Sequence, residues 1–186
     1  MKKRYYSLII SIIVIVLGII QGSSAVSHTK TKNTATVKDA IQVDISTSTL
    51  YQITKVTDGD TVHVKADGQE ITVRMKGVDT PETVDPRKTV QCFGKEASNM
   101  SKELLTGRMV NLVPDKGDRS LYDKYGRVLA YIYRDDGLFV NEYLVKEGYA
   151  HEYTYDKPYE KQKDFKKLEK QAREEKKGLW GEVCVK

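Results

Sequence analysis

Apolar and polar residues alternate in the part of the chain that begins near residue 50, as they do in half-buried β-strands. This alternation covers Tyr51–Val56, Thr61–Lys65 and Glu70–Lys76. The last two stretches are separated by Ala66–Gln69, which contains Asp-Gly, a dipeptide that tolerates the positive φ angles of a tight hairpin turn. We therefore predict three consecutive strands, with Arg74 on the face opposite to the buried side chains of its strand.

Helical periodicity replaces alternation at Gly94–Leu105, and Gly107 is placed to end that helix. The remaining pattern predicts two further strands and then two further helices, at Met109–Val113, Val128–Tyr133, Val140–Glu147 and Pro158–Lys177. This order fits an α+β, mainly β, architecture: a five-stranded OB-fold barrel with Greek-key connections and three packed helices. Several other α+β folds share the same order of elements.

Residues 1–25 have the pattern of a targeting segment. Basic residues at positions 2 to 4 precede a mostly apolar run, Ser7–Ile20, and small polar residues then lead to Ala25. An apolar run of this length is short for a bilayer span, which needs about 20 residues. A signal peptide is therefore favoured, and the alternative is an uncleaved anchor in which residues 5–20 tether the protein to a membrane. Both predict export, so that the protein is secreted or is extracytoplasmic and membrane-anchored.

The composition limits the number of domains and the charge of the exported part. The chain has 186 residues, with 31 basic and 26 acidic ones and a net charge of +5. Three of the basic residues lie before residue 26, so the rest carries a net charge of only +2. Such an excess permits a nucleic-acid partner without requiring one. Residues 26–48 are polar and predict a disordered linker, followed by one domain over residues 49–186.

The two cysteines, Cys92 and Cys184, are interpreted in the light of export. Oxidising surroundings allow a disulfide bond, and an even number of cysteines suits one. Two cysteines are too few for a structural zinc site, and no pair of histidines completes one. We predict a Cys92–Cys184 bond that ties the C-terminal tail to the loop before the first helix.

Two short acidic motifs carry the candidate chemistry. Asp58–Thr61 leads into the second strand, and Val78–Thr83 follows the third. The start of one hairpin strand lies beside the end of the other, so Asp60 and Asp79 are expected to converge. Two close carboxylates favour a bound cation, and oxygen ligands are typical of Ca²⁺ or Mg²⁺ rather than zinc.

Three further residues complete a possible site for phosphodiester cleavage. Glu82 follows Pro81, which restricts the backbone, and its carboxylate is a candidate to hold or deprotonate an attacking water. Arg74 and Arg127 supply planar guanidinium groups that match the non-bridging oxygens of a phosphate. Either arginine alone is more often a surface ion-pair partner, but both beside an acidic cluster are unusual. We expect them to face the aspartates across a slot that admits a phosphate.

A lysine and three tyrosines form a candidate substrate lining: Lys124, Tyr125, Tyr153 and Tyr155. Lysine contacts phosphate, and tyrosine rings stack on bases without reading their identity. The chain has twelve tyrosines, so a place in the core or on the surface is an equally good interpretation for each of these rings.

Taken in this order and spacing, the motifs resemble those of the staphylococcal-nuclease-like (thermonuclease) family. The resemblance extends over residues 50–181 and is carried by Asp58–Thr61, Arg74, Val78–Thr83, Phe93–Ala97 and Asp123–Tyr131. It implies an OB-type barrel and Ca²⁺-dependent hydrolysis of phosphodiester bonds in DNA and RNA. It further implies cleavage at the 5′-oxygen, which leaves 3′-phosphate ends.

The resemblance also implies roles for individual residues. Asp60, Asp79 and the backbone carbonyl of Thr80 match the ligands of Ca²⁺. Glu82 matches the residue that positions or activates water. The phosphate-binding arginines are matched by Arg74 and Arg127, and the nucleotide-contacting positions by Lys88, Lys124, Tyr125, Tyr153 and Tyr155.

The departures from the family pattern are local. Lys76–Gly77 stands where the best-known member has apolar residues, the loop at Asp118–Tyr122 is longer, and the cysteine pair is an addition. None of these departures removes a position that matches a catalytic residue of the family.

Two function classes remain in competition at this point. The first is an exported, Ca²⁺-dependent nuclease with little sequence specificity, acting as a monomer without an obligate protein partner. The second is a catalytically silent OB-fold module that binds nucleic acid. A silent module would be expected to lose acids or arginines, and this sequence has all five: Arg74, Asp60, Asp79, Glu82 and Arg127. A structural cell-surface module has only the N-terminal segment in its favour.

Overall fold

The computed structural model describes residues 45–83 and 89–184. The predicted targeting segment, the linker up to residue 44 and Lys88 lie outside these residues. The described strands are β1 (Tyr51–Val56), β2 (Thr61–Ala66), β3 (Gln69–Met75), β4 (Val78–Asp79), β5 (Met109–Val113), β6 (Val128–Arg134) and β7 (His151–Glu152). The described helices are α1 (Gly94–Leu105), α2 (Val140–Lys146) and α3 (Gln162–Glu174), followed by a short 3₁₀ helix, Gly178–Trp180.

Five of the strands close into a barrel in the order β1-β2-β3-β6-β5, with β5 pairing back to β1. The pairing of β3 with β6 is parallel, whereas the other barrel pairs are antiparallel. This mixed five-stranded barrel, with three helices around it, confirms the predicted α+β OB-fold class. It also places the ends of β1, β2 and β3 near the start of β6.

The hairpin between β2 and β3 is the two-residue turn that its Asp-Gly sequence predicts. Asp67 and Gly68 both have positive φ, at 49° and 79°, which matches the right-handed twist of the flanking strands. The turn sets a register in which Thr61 pairs with Arg74. Because of this register, the side chain of Arg74 begins one residue away from Asp60.

The core is built from the alternating positions of the barrel strands and from one face of each helix. Val62 and Val64 of β2 and Val73 and Met75 of β3 are at most 1% exposed. The helices contribute further fully buried side chains, including Leu105, Leu144, Val145 and Phe165. Burial of this apolar surface is the main favourable term in folding, at about 25 cal/mol per Å². The candidate functional residues Asp60, Arg74 and Arg127 lie in or next to the ends of strands of this well-packed barrel.

The last helix is shorter at both ends than the predicted Pro158–Lys177. At its start, Tyr159 is buried and donates a hydrogen bond to the carbonyl of Gly77 (3.2 Å), so this stretch packs against the barrel instead of winding into the helix. At its end, Lys176 and Gly178 adopt positive φ of 54° and 51°. A Cβ at Gly178 would lie 2.2 Å from the carbonyl oxygen of Gly148, so the chain turns here where only glycine fits.

Two features connect distant parts of the chain. Strands β4 and β7 form a small antiparallel sheet that the sequence pattern did not predict, pairing Asp79 with His151. The predicted bond between Cys92 and Cys184 is present, with the two Cα atoms 5.7 Å apart. It joins the tail to the loop before α1, as expected.

No helix in the described part of the chain is long and apolar enough to cross a membrane.

Candidate active site

The site begins at the turn between β1 and β2. The backbone N–H of Asp60 donates to Oδ1 of Asp58 (3.1 Å), so the side chain of Asp58 closes an Asx turn. Gly59 lies so close to the loop after β4 that a Cβ would be 2.6 Å from Cγ2 of Thr80. The carbonyl of Gly59 in turn accepts a hydrogen bond of 2.6 Å from the hydroxyl of Ser101 in α1. The turn is therefore fixed between that loop and the first helix.

Asp60 connects this turn to the end of β4. Its carboxylate is buried, and Oδ2 accepts hydrogen bonds from the backbone N–H (2.8 Å) and the hydroxyl (3.0 Å) of Thr80. Oδ1 accepts a hydrogen bond from the hydroxyl of Thr61 at 3.0 Å. These bonds place Asp60 directly beside the second acidic motif, as the hairpin argument predicted.

Arg74 bridges the two aspartates. Its Nη1 lies 3.1 Å from Oδ2 of Asp60, and its Nη2 lies 2.8 Å from Oδ1 of Asp79. Nη1 also donates to the carbonyl of Val78 at 2.7 Å. The two carboxylates thus converge, as expected. Arg74 lies between them, however, and does not face them across a slot as predicted. The planar guanidinium, with its five donors, can satisfy several acceptors at once.

Burial disfavours the charged forms of Asp58 and Asp79. Together with the nearby charge of Asp60, it raises the pKa of Asp58 to about 6. Burial also raises the pKa of Asp79, against the lowering effect of Arg74. Partly desolvated carboxylates are stabilised by nearby positive charge, and Arg74 supplies such a charge here.

The donor chemistry fits a hard cation. Asp60, Asp79 and the carbonyl of Thr80 offer oxygen atoms only, which suits Ca²⁺ or Mg²⁺ and not zinc. The side chain of Asp79 is 48% exposed, so this donor is accessible from solvent. Among the described residues, no group of three His, Cys, Asp or Glu side chains is placed to hold a metal ion. Within the described residues, a cation here would therefore be held by Asp60, Asp79 and the carbonyl of Thr80.

Glu82 is held by its backbone against the segment that leads into α1. Its N–H donates to Oε1 of Gln91 (2.8 Å), and its carbonyl accepts from the N–H of Gln91 (3.0 Å). Oε1 of Glu82 accepts the N–H of Thr83 at 2.9 Å. Gly94 permits this close packing, because a Cβ there would lie 3.1 Å from the carbonyl oxygen of Glu82.

Arg127 is positioned by a tight loop before β6. Its Nε and Nη2 both lie 2.7 Å from Oδ2 of Asp123, so two guanidinium nitrogens share one carboxylate oxygen. Oδ1 of Asp123 accepts the backbone N–H groups of Tyr125 (2.8 Å) and Arg127 (2.9 Å). Gly126 takes the positive φ of 78° that the loop requires. One aspartate therefore shapes the loop and orients its arginine.

A cavity of about 530 Å³ opens beside these groups. It is lined by Arg74, Asp79 and Arg127 and by the whole predicted substrate lining, namely Lys124, Tyr125, Tyr153 and Tyr155. The Nζ of Lys124 lies 5.0 Å from the ring centre of Tyr125 and 5.7 Å from that of Tyr155. Asp60 and Glu82 lie outside the lining. The cavity thus places exposed rings and a lysine next to the two arginines.

The sequence argument missed two residues that organise the site. Asp123 was not identified as the partner of Arg127, although an aspartate before Lys-Tyr-Gly-Arg is a recognisable turn signal. Gln91, which pairs with the backbone of Glu82, carries no signal in the sequence, because a loop glutamine has many possible partners.

The fold and this cluster define an OB-type barrel with a carboxylate–arginine cleft at its rim. The family model described as "Staphylococcal nuclease homologue" matches residues 72–182. The chain belongs to this family.

Curated relatives show the same affiliation. The thermonuclease of Staphylococcus hyicus is 45% identical over 130 residues, which are 70% of this chain and 75% of that protein. The thermonuclease of Staphylococcus intermedius is 50% identical over 100 residues, or 54% of this chain and 57% of that protein. The SPbeta prophage-derived endonuclease YokF of Bacillus subtilis is 45% identical over 127 residues, or 68% of this chain and 42% of that protein. The chain thus spans three quarters of the first relative and about half of the other two.

Proposed function

We propose that this protein is a Ca²⁺-dependent nuclease that hydrolyses phosphodiester bonds of DNA and RNA. One observation carries the proposal: Arg74 contacts both Asp60 and Asp79. Arg74 and Asp79 also line the same cavity as Arg127. The names of the relatives, two thermonucleases and an endonuclease, support the same reaction class.

The cation is held by Asp60, Asp79 and the backbone carbonyl of Thr80 in this proposal. When bound, Ca²⁺ supplies positive charge that attracts a non-bridging phosphate oxygen and offsets the repulsion between that oxygen and the aspartates. Arg74 keeps the two carboxylates together, since it contacts both of them directly.

The two arginines stabilise the charge that develops on the phosphate during attack. Arg127 reaches the cavity from a loop and Arg74 from a barrel strand, so they approach the phosphate from different elements. Preorganised donors of this kind are typically worth about 10²-fold or more in rate each. Glu82 holds or deprotonates the attacking water, and the 5′-oxygen departs, so that a 3′-phosphate end remains.

The cavity accounts for low sequence specificity. Tyr153 and Tyr155 are 42% and 69% exposed, and their ring centres lie 6.3 Å apart. Exposed rings stack on any base, because every base has a π-face. Lys124 contributes a charge for the backbone phosphates, which DNA and RNA share.

The test is a panel of cleavage reactions with the purified protein. Single- and double-stranded DNA and RNA are each incubated with Ca²⁺, with Mg²⁺ or with chelator, and the ends of the products are mapped. We expect cleavage with Ca²⁺, none with chelator, and 3′-phosphate ends. Full cleavage in chelator would remove the metal from the proposal. Binding without cleavage under every condition would favour the catalytically silent module.

A matched pair of variants assigns the acid. We expect Glu82→Gln to reduce turnover severely while the thermal unfolding midpoint stays unchanged, because the backbone contacts of Glu82 do not need its charge. Gln91→Glu serves as the control, since it adds a carboxylate nearby without removing the proposed base.

We also propose that the protein is exported through residues 1–25 and acts as a monomer outside the cytoplasm. The basic start and the apolar run support this proposal. Fractionation of the producing cells, followed by determination of the first residue of the protein in the medium and in the membrane, tests it. A first residue near position 26 indicates cleavage, and an intact Met1 in the membrane indicates a tether.

A further inference from the structure

A second concave surface, separate from the cavity, adjoins the two acidic motifs through Thr57 and Thr83. We call it the α1 groove; it has a volume of about 260 Å³. It is lined by Thr57, Thr83, Lys95, Ser98, Asn99 and Lys102. The groove and the cavity share none of their lining residues.

The groove is built by helical periodicity. Lys95, Asn99 and Lys102 follow the spacing i, i+4, i+7, so they lie along one face of α1. This face is about 10 Å long, at 1.5 Å of rise per residue. That length exceeds the axial distance of about 3.4 Å between successive phosphates of a stacked strand. One phosphate for each lysine therefore fits along it.

The described lining of the groove carries positive charge: it holds two lysines and no acid. Both lysines are exposed, and neither forms an ion pair with any residue in the described part of the chain. Two lysines on one concave face attract anions.

The groove adjoins the proposed reaction centre through the chain itself. Thr57 directly precedes Asp58, and Thr83 directly follows Glu82. Helix α1 is fixed to the same centre by the bond from Ser101 to the carbonyl of Gly59 and by the packing of Gly94 on Thr83. A strand that leaves the reaction centre past Thr57 and Thr83 would meet Lys95 and Lys102.

We propose that the α1 groove binds the phosphates of the nucleic-acid strand on the side of the scissile bond that lies away from the tyrosine-lined cavity. Lys95 and Lys102 each contact one phosphate. The inference rests on the proposed nuclease function. It adds a binding surface for the substrate strand on the second side of the scissile bond.

The experiment measures binding without cleavage, in a Glu82→Gln background with Ca²⁺ present. The ligands are fluorescently labelled oligothymidylates of two and of twelve nucleotides, and anisotropy gives Kd at several salt concentrations. The test variant is Lys95→Ala/Lys102→Ala. The matched control is Lys163→Ala/Lys167→Ala, which removes two exposed lysines of α3 that line neither the cavity nor the groove. Lys95→Arg/Lys102→Arg preserves the charge.

We expect the test variant to bind the twelve-nucleotide ligand about tenfold more weakly than the control. The slope of log K against log salt should fall by about 1.4 in magnitude, since each phosphate contact to a single strand contributes about 0.7. Binding of the dinucleotide should be unchanged, because it does not reach from the reaction centre to both lysines. The arginine variant should bind both ligands as the background protein does.

Two outcomes would overturn the inference without touching the proposed function. One is an affinity and a salt slope for the twelve-nucleotide ligand equal to those of the control. The other is an equal loss for both ligands, which would show a general field effect and not a groove contact. If the background protein binds neither ligand and the unmodified protein cleaves nothing, the proposed function itself fails.

Discussion

The two arginines of the site are held in contrasting ways. Arg74 projects from strand β3, its side chain is 13% exposed, and it contacts Asp60, Asp79 and two backbone carbonyls. Arg127 projects from a loop, its side chain is 30% exposed, and its guanidinium is paired with Asp123, which belongs to the same loop.

This contrast predicts that the two arginines contribute differently to folding stability and to turnover. The strand-borne arginine compensates a buried carboxylate, and removal of one partner of a buried pair leaves an unpaired charge. The loop-borne arginine compensates an aspartate that also accepts two backbone N–H groups. A change at Arg74 should therefore disturb both folding and turnover, whereas a change at Arg127 should disturb turnover alone.

The largest effect is expected for Arg74→Ala. The free energy of unfolding, measured with urea, should fall by about 3–5 kcal/mol, because Asp60 is left buried without its cationic partner. Turnover should fall by about 10²-fold or more in the fraction that remains folded. Asp60→Asn combined with Arg74→Ala is the control, since it removes the stranded charge and should recover part of the stability. An unchanged unfolding midpoint in Arg74→Ala would contradict the conclusion that Arg74 is needed for folding stability.

Arg127→Ala should lower turnover by about 10²-fold while the free energy of unfolding changes by less than about 1 kcal/mol, because two backbone N–H groups still satisfy Asp123. Steady-state kinetics and a urea titration of the same preparation give both values. Arg127→Lys is the matched control and should be nearly as inactive, because lysine cannot reproduce the two-pronged contact. Full activity of Arg127→Ala would refute its assigned role.

Asp123→Asn tests how the loop-borne arginine is oriented. The charge of Arg127 is retained, but its hydrogen bonds to Oδ2 of Asp123 are lost, because the amide nitrogen that replaces this oxygen cannot accept them. If the orientation of Arg127 is lost with them, turnover should fall by about tenfold, which corresponds to about 1.4 kcal/mol. The substitution keeps an acceptor for the backbone N–H groups, so the loop should remain folded. If turnover stays at the level of the unmodified protein, Asp123 does not position Arg127.

The smallest effect is expected in the cavity. Tyr155→Ala should raise KM roughly fivefold with kcat nearly unchanged, since loss of one stacking ring costs about 1 kcal/mol. Tyr155→Phe keeps the ring and should behave like the unmodified protein. A fall in kcat with constant KM would mean that this ring acts on the reacting phosphate and not on a base.

Most of the barrel could be predicted because its strands are long enough to show alternation. Strands β4 and β7 could not, since two residues show no period. The early end of α3 also has no signal in the sequence, because the positive φ at Lys176 falls on a residue type that rarely adopts it.

For the site, it could be predicted from the sequence which side chains converge. The hairpin register explains why Asp60, Asp79 and Arg74 meet. It does not reveal that Arg74 lies between the aspartates, since this depends on the carbonyl of Val78, which only the folded path of the chain places there. Patterns of residue types can identify which side chains are neighbours. Which of these neighbours contact each other directly depends on the position of the backbone.

The bond between Cys92 and Cys184 has a consequence for resistance to proteases. It encloses α1, α2, α3 and the exposed loop around Arg119 in one covalent ring. A single nick by a protease within that ring leaves both pieces attached to each other. A nicked molecule would migrate as one band on a non-reducing gel and as two bands after reduction, with the barrel still assembled until the thiols are freed.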